Sequence, residues 1–277
     1  MIRLKNISKS YGKSFNISKL NLHIEKGKLT SLLGPNGAGK TTIIRMITGL
    51  SSYNEGEILY DNEIFNRDSN HLKKKIGVVN QHINLDKELS VYENLIFAGK
   101  LYGLKGNVLK ERVTHQLAQF NLEIHKDKLV KKLSGGMKRK LMIARALIHF
   151  PETIFLDEPT VGIDLVSRKQ IWNEFIRLKN EGKTIILTTH HIEEAEYLSD
   201  KVILLNDGII YSKDTPTNLI NDLGKYTIEW FEGEVNHKFF TTLEKANIYS
   251  NKLNVVYSIR KTTLEDVFYQ FTKKKVN

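Results

Sequence analysis

The chain has 277 residues, of which 40% are hydrophobic and 26% are charged, a composition typical of folded globular proteins and not of disordered chains. It contains no cysteine, which excludes disulfide frameworks, cysteine-bound zinc or iron–sulfur sites and thiol nucleophiles. Its 42 Lys and Arg residues exceed its 31 Asp and Glu residues, and the formal charge of +11 favours contact with nucleotides, nucleic acid or an anionic membrane surface.

The apolar segments of the chain are the length of a strand, such as Val202–Leu205. None reaches the roughly 18 apolar residues that a membrane-spanning helix needs. The first residues also lack the apolar stretch of a secretory signal. We therefore expect a cytosolic location.

Basic residues occur in four short runs. Because such runs usually form a solvated face of a helix or loop, we interpret each of them as exposed surface. The runs are Lys73–Lys75, Lys131–Lys132, Lys138–Lys140 and Lys273–Lys275.

The N-terminal part of the chain predicts strands followed by a helix. Alternating apolar residues predict one strand over Ile2–Ile7 and another over Leu20–Ile24. The compact apolar run Leu29–Leu33 stops at a glycine and is typical of a buried strand. Apolar spacing over residues 40–50 then predicts a helix, and Ile76–Val79 is the next predicted strand.

From about residue 85 to residue 150 the apolar spacing predicts a block of helices. Strands with helices between them follow, at Thr153–Leu156, Thr184–Thr188 and Lys201–Leu205. Strands that alternate with helices predict a parallel sheet covered on both faces. The Asn-Asp-Gly tripeptide at 206–208 predicts a hairpin turn after the last of these strands.

A change of pattern predicts a domain boundary near residue 222. Beyond it, residues 225–260 are interpreted as short strands and residues 263–272 as a terminal helix. The predicted units are a first domain of residues 1–221, with a core of 1–84 and 151–221 and a helical subdomain of 85–150, and an accessory domain of residues 222–277.

One octapeptide satisfies the phosphate-loop pattern G-x-x-x-x-G-K-[ST]: Gly34-Pro35-Asn36-Gly37-Ala38-Gly39-Lys40-Thr41. Glycines let the backbone N–H groups wrap around phosphate oxygens, and the following helix directs its positive end at the same group. Lys40 supplies a cation for the β- and γ-phosphates, and Thr41 supplies a hydroxyl for Mg²⁺. The octapeptide stands between a predicted strand and a predicted helix, which is the context that the motif requires.

A second candidate is the strand that ends in two acids, Asp157 and Glu158. An aspartate at the end of a strand beside a phosphate loop can hold Mg²⁺, and an acid one residue later can deprotonate an attacking water. A third is the segment Leu133–Met137, which precedes an amphipathic helix. Its Ser134 is either a helix N-cap or part of an anion site, and both readings stay open from the residues alone.

The order of these motifs resembles that of ABC-type ATPase subunits over about residues 1–220. In chain order they are the phosphate loop, Gln81, Leu133–Gly136, Leu156–Thr160 and Thr188–His190. The resemblance implies an α/β fold of the P-loop NTPase (RecA-like) kind. This fold has a parallel sheet with helices on both faces, an antiparallel β subdomain, an inserted helical subdomain and, here, a small C-terminal α/β appendage.

The resemblance also implies roles for individual residues. Glu158 matches the general base, Gln81 the glutamine that meets Mg²⁺ and water, and His190 the histidine at the γ-phosphate. In isolation, either His190 or its neighbour His191 would be an ordinary surface histidine. The catalytic positions are Lys40, Gln81, Glu158 and His190, the Mg²⁺ positions are Thr41, Gln81 and Asp157, and the ATP-binding positions are Tyr11, Asn36, Gly37, Ala38, Gly39, Lys40, Thr41, Thr42, Ser134, Gly135 and Gly136.

In the family that this chain resembles, the Ser134–Gly136 segment, here called the signature, closes over ATP bound to another subunit. The resemblance therefore implies a dimer with two composite sites. Met137 stands where many relatives have Gln, and Val161, in the loop through which two subunits communicate, stands where Ser or Ala is usual. The matched acid, lysine and histidine positions are intact, which disfavours a non-catalytic binding module.

The segments Val91–Leu95, Leu101–Leu104 and Thr263–Phe268 resemble the multidrug, peptide and polysaccharide export branch, of ABC-2 type. That branch implies ATP and Mg²⁺, a separate multi-span permease, a homodimer or a heterodimer with a similar subunit, no nucleic acid, and a place on the inner face of the cell membrane. The alternative is a soluble ABC-type ATPase that acts on nucleic acid or ribosomes, which the positive charge keeps open.

Overall fold

A computed structural model describes residues 1–12, 15–66 and 68–273 of the chain. The strands are β1 (Ile2–Ser10), β2 (Asn16–Ile24), β3 (Leu29–Leu33), β4 (Glu55–Tyr60), β5 (Glu63–Ile64), β6 (Ile76–Val79), β7 (Thr153–Asp157), β8 (Thr184–Thr189), β9 (Lys201–Asn206), β10 (Ile209–Asp214), β11 (Tyr226–Glu232), β12 (Glu234–Phe240) and β13 (Tyr257–Lys261). The helices are α1 (Lys40–Ile47), α2 (Asn70–Lys73), α3 (Val91–Leu101), α4 (Gly106–Gln119), α5 (Gly135–Leu147), α6 (Leu165–Asn180), α7 (Ile192–Leu198), α8 (Pro216–Leu223), α9 (Leu243–Ser250) and α10 (Leu264–Lys273).

The central sheet has six strands in the order β10-β9-β3-β8-β7-β6. Five of them are parallel, as predicted, but β10 pairs antiparallel to β9. The reason is the predicted hairpin turn, in which Asp207 and Gly208 have φ angles of 47° and 74° and reverse the chain. The sheet is therefore mixed, with its antiparallel strand at one edge.

Both faces of this sheet are buried, which explains why its strands are apolar runs without alternation. In β7, Phe155 packs into one core cluster while its neighbours Ile154 and Leu156 pack into the other. Ile186 of β8 likewise points away from Ile185. The two clusters place helices on one face and a second sheet, together with α1, on the other.

The second sheet is antiparallel, in the order β2-β1-β4-β5. Its register sets Ile2 opposite both Ile24 and Tyr60, and these three side chains belong to the core cluster that contains α1. β4 and β5 were not among the predicted strands. This sheet is the antiparallel β subdomain that the resemblance implies.

The helical layer consists of α3, α4 and α5 with two short 3-10 helices, Glu123–His125 and Val130–Lys132. α3 begins at residue 91 rather than 85 because Ser90 forms a capping box with Glu93, in which each side chain accepts a hydrogen bond from the other's backbone N–H. The predicted helical block is otherwise confirmed.

The C-terminal part contains a three-stranded antiparallel sheet, β12-β11-β13, and two helices. The interpretation of residues 225–260 as strands alone is wrong, because α9 lies within them. Thr242 caps that helix by accepting a hydrogen bond from the Lys245 N–H, and the Leu-Glu-Lys-Ala sequence that follows favours a helix. α10 begins one residue after its predicted start.

The predicted boundary at residue 222 falls in the last turn of α8. Leu264 of α10 is fully buried in a third cluster that also contains Leu33, Ala195 and Leu219. The division of the chain at residue 222 stays a prediction. Across the described ranges, we find no helix with the length and apolar character needed to cross a bilayer.

Candidate active site

The predicted site residues lie at one edge of the central sheet. Gly34 directly follows β3, Glu158 directly follows β7 and His190 directly follows β8. Gln81 lies two residues after the end of β6. These four strands are parallel, so their carboxyl ends meet at the same edge. This edge is where open α/β sheets bind ligands.

The phosphate loop connects β3 to α1. Gly39 precedes the helix with a φ of 101°, a left-handed conformation that favours glycine. A Cβ atom at this position would also lie 2.7 Å from the end of the Phe15 ring, so a larger residue would require that ring to move. The loop therefore presents its backbone and the N-terminus of α1 to the cavity.

Lys40 is the first residue of α1, and its side chain is 6% exposed. Its ammonium group donates to the carbonyl oxygens of Gly34 at 2.8 Å and Pro35 at 3.1 Å. It also lies 3.4 Å from Glu158 Oε1. The loop thus folds back over its own lysine and fixes the position of the cation.

Asp157 is the last residue of β7, and its carboxylate accepts two hydroxyl hydrogen bonds. Thr188 donates to Asp157 Oδ1 at 2.6 Å, and Thr41 donates to the same oxygen at 3.1 Å. The structure therefore brings together two of the three predicted Mg²⁺ ligands. A carboxylate and a hydroxyl are the hard oxygen donors that Mg²⁺ prefers, so their chemistry fits this ion.

Glu158 has a positive φ of 49°, which is uncommon outside glycine. Its N–H donates to the carbonyl and hydroxyl oxygens of Thr188, both at 3.1 Å, and these bonds hold the strained backbone in place. His190 Nδ1 lies 2.9 Å from Glu158 Oε2. Between them, Lys40 and His190 contact both carboxylate oxygens of Glu158.

An open cavity of about 720 Å³ lies over the phosphate loop, within the size range of small-molecule sites. Gln81 and Glu158 line it, and so do the aromatic residues Tyr11 and Phe15. Phe15 is a residue that the sequence interpretation missed, although it is an aromatic close to Tyr11. The remaining lining residues are Asn36, Gly37, Ala38, Gly39, Lys40, Thr41 and Thr42.

The signature does not line this cavity in the part of the chain that the structure describes. Ser134 is the N-cap of α5, which is one of the two roles that the sequence allows, and it accepts a hydrogen bond from the Met137 N–H at 3.3 Å. Ser134 and Gly135 are exposed, whereas Met137 packs against the helical core. The first residue of α5 and its N-cap are thus exposed to solvent. Among the described residues, they do not contribute to the cavity over the phosphate loop of their own chain.

The loop after Glu158 leads from the cavity toward the signature. Val161 is 41% exposed, and Asp164 caps α6 by accepting from the Ser167 N–H at 2.9 Å. This hydrogen bond lowers the pKa of Asp164. Ser167 in turn packs against Gly136 of the signature, where a Cβ atom would lie 2.8 Å from the serine hydroxyl.

Two buried charged residues behind the site were not singled out from the sequence. Arg139 belongs to a basic run interpreted as solvated, but it is 4% exposed and donates to the main chain on both sides of the site. In another of the predicted basic runs, Lys273–Lys275, the residues Lys274 and Lys275 lie outside the described part of the chain. Glu194 is fully buried and accepts hydrogen bonds from Thr160 and Trp172, each at 2.8 Å.

Comparison with known proteins identifies this arrangement. A sequence model of a family described as "ABC transporter" matches residues 17–161, a little over half of the chain. The chain is 41% identical over 229 residues to the linearmycin resistance ATP-binding protein LnrL of Bacillus subtilis, and the match covers 82% of this chain and 73% of that protein. It is 35% identical over 298 residues to the Nod factor export ATP-binding protein I of Cupriavidus metallidurans, across 100% and 98% of the two chains.

Solved structures give the same result. The cbiO1 protein of Clostridium perfringens, part of the transporter complex cbiONQ, superposes with a TM-score of 0.73 at 28% identity, over 79% of this chain and 89% of that one. The ATP-binding cassette MJ0796, solved as a dimer in a post-hydrolysis state with ADP and phosphate, has a TM-score of 0.70 at 31% identity, over 78% and 98%. These similarities confirm the predicted fold class.

Proposed function

Since this chain belongs to the ABC transporter family, we propose that it is the ATP-hydrolysing subunit of an exporter and that it acts with a separate membrane permease. The observation that carries the proposal is the contact of Glu158 with Lys40 at 3.4 Å and with His190 at 2.9 Å beneath a phosphate-loop cavity. This cluster supplies a cation for phosphate and a carboxylate for water at one point. Relatives named for resistance and for export support the transport role.

We propose that ATP binds with its phosphates on the loop of Asn36–Thr42 and its base against Tyr11 and Phe15. The backbone N–H groups at the start of α1 and the ammonium of Lys40 would hold the phosphate oxygens. The aromatic rings offer a face for stacking on adenine.

In the proposed reaction, Glu158 accepts the proton of the attacking water as general base. The contact of His190 with Glu158 Oε2 fixes the orientation of the carboxylate, and Gln81 extends into the cavity to position the water. Thr41, Asp157 and Gln81 would hold Mg²⁺, which neutralises phosphate charge when bound. Lys40 counters the negative charge that develops on the phosphate oxygens.

We further propose that the complete site is shared between two chains. Ser134 and Gly135 are exposed and are not among the described residues that line the phosphate-loop cavity of their own chain. They offer N–H groups at the start of a helix to a nucleotide held by another chain. The similar cassette that was solved as a dimer with ADP and phosphate supports this arrangement. The second chain is either another copy or a similar subunit.

The permease would hold this subunit at the inner face of the cell membrane, where the positive charge of the chain suits an anionic leaflet. Residues 1–221 would form the ATP-binding domain and residues 222–277 an accessory domain. Transport would follow from closure of the dimer on ATP and its opening after hydrolysis.

Mixing two inactive variants tests the shared site. Lys40→Ala damages the phosphate loop but leaves the signature of its chain intact, and Ser134→Arg does the reverse. Each homodimer should be inactive, because every site in it contains one damaged half. The mixture should regain up to about half of the wild-type ATPase activity, because the heterodimer has one complete site. Ser18→Arg, an exposed serine on β2, is the matched control and should remain active on its own.

The outcomes distinguish the parts of the proposal. Full activity of Lys40→Ala alone would refute the role of the phosphate loop. If differently tagged chains form heterodimers and no activity returns, either both sites must be intact together or each site lies within one chain. Adding Glu158→Gln to both chains separates these cases, since ATP-dependent association of the tagged pair supports the shared site and its absence refutes it.

A further inference from the structure

Arg139 is a buried cation on the helix that begins at the signature. It lies in α5, and its side chain is 4% exposed although both neighbours, Lys138 and Lys140, are partly exposed. Burying a guanidinium is unfavourable unless its N–H groups find acceptors. The identity of those acceptors therefore indicates what the residue does.

Its three guanidinium nitrogens donate to main-chain carbonyl oxygens of two separate segments. Nη1 donates to Asn80 at 2.8 Å and to Gln81 at 3.2 Å, at the end of β6. Nη2 donates to Asp157 at 3.2 Å and to Glu158 at 2.7 Å, at the end of β7, and Nε donates to Pro159. One side chain thus joins the peptide groups of Gln81 and Glu158.

The contacts are geometrically demanding. A planar guanidinium fork can span acceptors on two strands, whereas an ammonium is a point charge at the end of a flexible stem and a neutral amide has only two N–H groups. Burial lowers the pKa of Arg139 to about 10, so the side chain still carries its charge at neutral pH. The hydrogen bonds are therefore charge-assisted, and this strengthens them relative to neutral ones.

We propose that Arg139 is a positioning residue for hydrolysis, which holds the Gln81 and Glu158 backbones at the separation that water attack requires. This inference rests on the proposed function, because it assigns Glu158 and Gln81 to the attacking water. Arg139 acts on the catalytic segments of its own chain, although α5 carries the signature that would serve the other chain's nucleotide.

The first test compares Arg139→Gln with Lys138→Gln, the matched change at the preceding residue. Arg139→Gln should lower kcat by roughly 10- to 100-fold, because a shift of about 1 Å in a catalytic group has an effect of that size. The KM for ATP should change less than threefold, since the phosphate loop and Lys40 are untouched. Lys138→Gln should behave as wild type. Equal kcat values for the two variants would overturn the proposal.

Arg139→Lys separates geometry from charge and provides a second variant if Arg139→Gln does not fold. It keeps the cation but cannot reach both segments, so kcat should remain at least about fivefold below wild type. Circular dichroism and ATP titration establish that each variant is folded. Failure of both variants to fold would assign Arg139 to stability alone and would overturn the proposal.

The mixed dimer of Lys40→Ala and Ser134→Arg distinguishes positioning from a structural role in α5. Its one complete site takes Glu158 from the Ser134→Arg chain and the signature from the Lys40→Ala chain. Adding Arg139→Gln to the Ser134→Arg chain should lower the activity of the mixture about as much as it does in the homodimer. Adding it to the Lys40→Ala chain should leave the activity of the mixture within twofold, because that chain supplies only the signature.

A loss of activity from both placements would mean that the substitution disturbs α5 itself, and would overturn the proposal. Failure of the proposed function would give a different experimental result. In that case the wild type and Lys138→Gln would lack ATPase activity in the same assay, whereas failure of this inference alone leaves both of them active.

Discussion

Lys40 Nζ and Glu158 Oε1 lie 3.4 Å apart, and their side chains are only 6% and 5% exposed. The cation proposed for the phosphates is therefore in contact with the carboxylate proposed as the base. A buried carboxylate charge at this point attracts the lysine but repels a phosphate that approaches the same lysine. Water activation and nucleotide binding therefore conflict at this pair, because the negative charge of Glu158 that activates water also weakens the binding of phosphate to Lys40.

Glu158→Gln should separate these effects. Phosphate release should fall by about 10²–10⁴, because the amide cannot accept the proton of water. The affinity for ATP should rise, because the substitution removes the negative charge that competes for Lys40. Phosphate release and titration with fluorescent ATP measure the two quantities, with the exposed Glu111→Gln of α4 as control. Near-normal turnover would mean that another group activates water.

The sequence singles out the residues of this candidate site because they follow local patterns. The phosphate loop is continuous in the chain, and Asp157 and Glu158 end an apolar strand, so each element is recognisable by itself. What the sequence does not show is which side chains meet. The contact between Lys40 and Glu158 depends on the neighbouring positions of β3, β8 and β7, which strand periodicity does not give.

Arg139 shows most clearly that a local sequence pattern does not predict which side chains are buried. A run of three basic residues on a helix has the same local pattern whether it faces water or the ends of two strands. Only the packing of α5 beside β6 and β7 turns its middle member inward. α9 was missed for a different reason, because its flanking strands dominate the pattern of residues 225–260. The capping signal at Thr242 was present in the sequence.

Gly136→Ala should destabilise the protein. A Cβ atom there would lie 2.8 Å from Ser167 Oγ and 3.0 Å from Ser167 Cβ, and rotation of the hydroxyl relieves only the first contact. Relief of the second contact requires a small shift of α5 away from α6, at about 1–3 kcal/mol of unfolding free energy. The helix propensity of alanine offsets up to about 1 kcal/mol of this loss. Urea unfolding measures this difference.

Gly135→Ala is the matched control, because a Cβ atom there meets nothing within 4 Å among the described residues. It should leave stability unchanged or raise it by up to about 1 kcal/mol, since alanine favours the helix. Adding Ser167→Ala to Gly136→Ala should recover part of the loss. If both glycine variants unfold at the same urea concentration, the close packing of Gly136 on Ser167 is not a determinant of stability.

Glu194 should make stability depend on pH. Burial raises the pKa of this fully buried carboxyl, while in the unfolded chain it titrates near its ordinary value of about 4.3. Above that value the unfolded chain has lost the proton that the folded chain retains, so the free energy of unfolding falls as pH rises through the raised pKa. Glu194→Gln keeps an acceptor for Thr160 and Trp172 but does not titrate.

The stability of Glu194→Gln relative to wild type should therefore increase as the pH rises from about 4.3 toward neutrality. Urea unfolding at several pH values within this range gives the difference, and the exposed neighbour Glu193→Gln should show no such trend. A constant difference across the range would mean that Glu194 is ionised in the folded protein throughout it.

α10 is held to the first domain by its first residue. The Leu264 N–H at its start donates to Glu196 Oε2 of α7 at 2.8 Å, and the Leu264 side chain is fully buried in the cluster that contains Leu33, the residue before the phosphate loop. Leu264→Ala should lower the free energy of unfolding by about 2–5 kcal/mol, because it leaves a cavity in this cluster. Leu243→Ala, whose side chain is 45% exposed, should change it by less than about 0.5 kcal/mol.

Deletion of residues 222–277 extends the same test. It should destabilise the remaining chain, because it removes α10 from the surface of α7 and exposes apolar side chains such as Leu219. ATP should still bind to the molecules that fold, because the residues proposed to hold nucleotide all precede residue 222. Urea unfolding and ATP titration of the same sample separate the two effects. A truncated chain as stable as the full one would mean that α10 contributes nothing to this core, and a folded chain unable to bind ATP would mean that the boundary is misplaced.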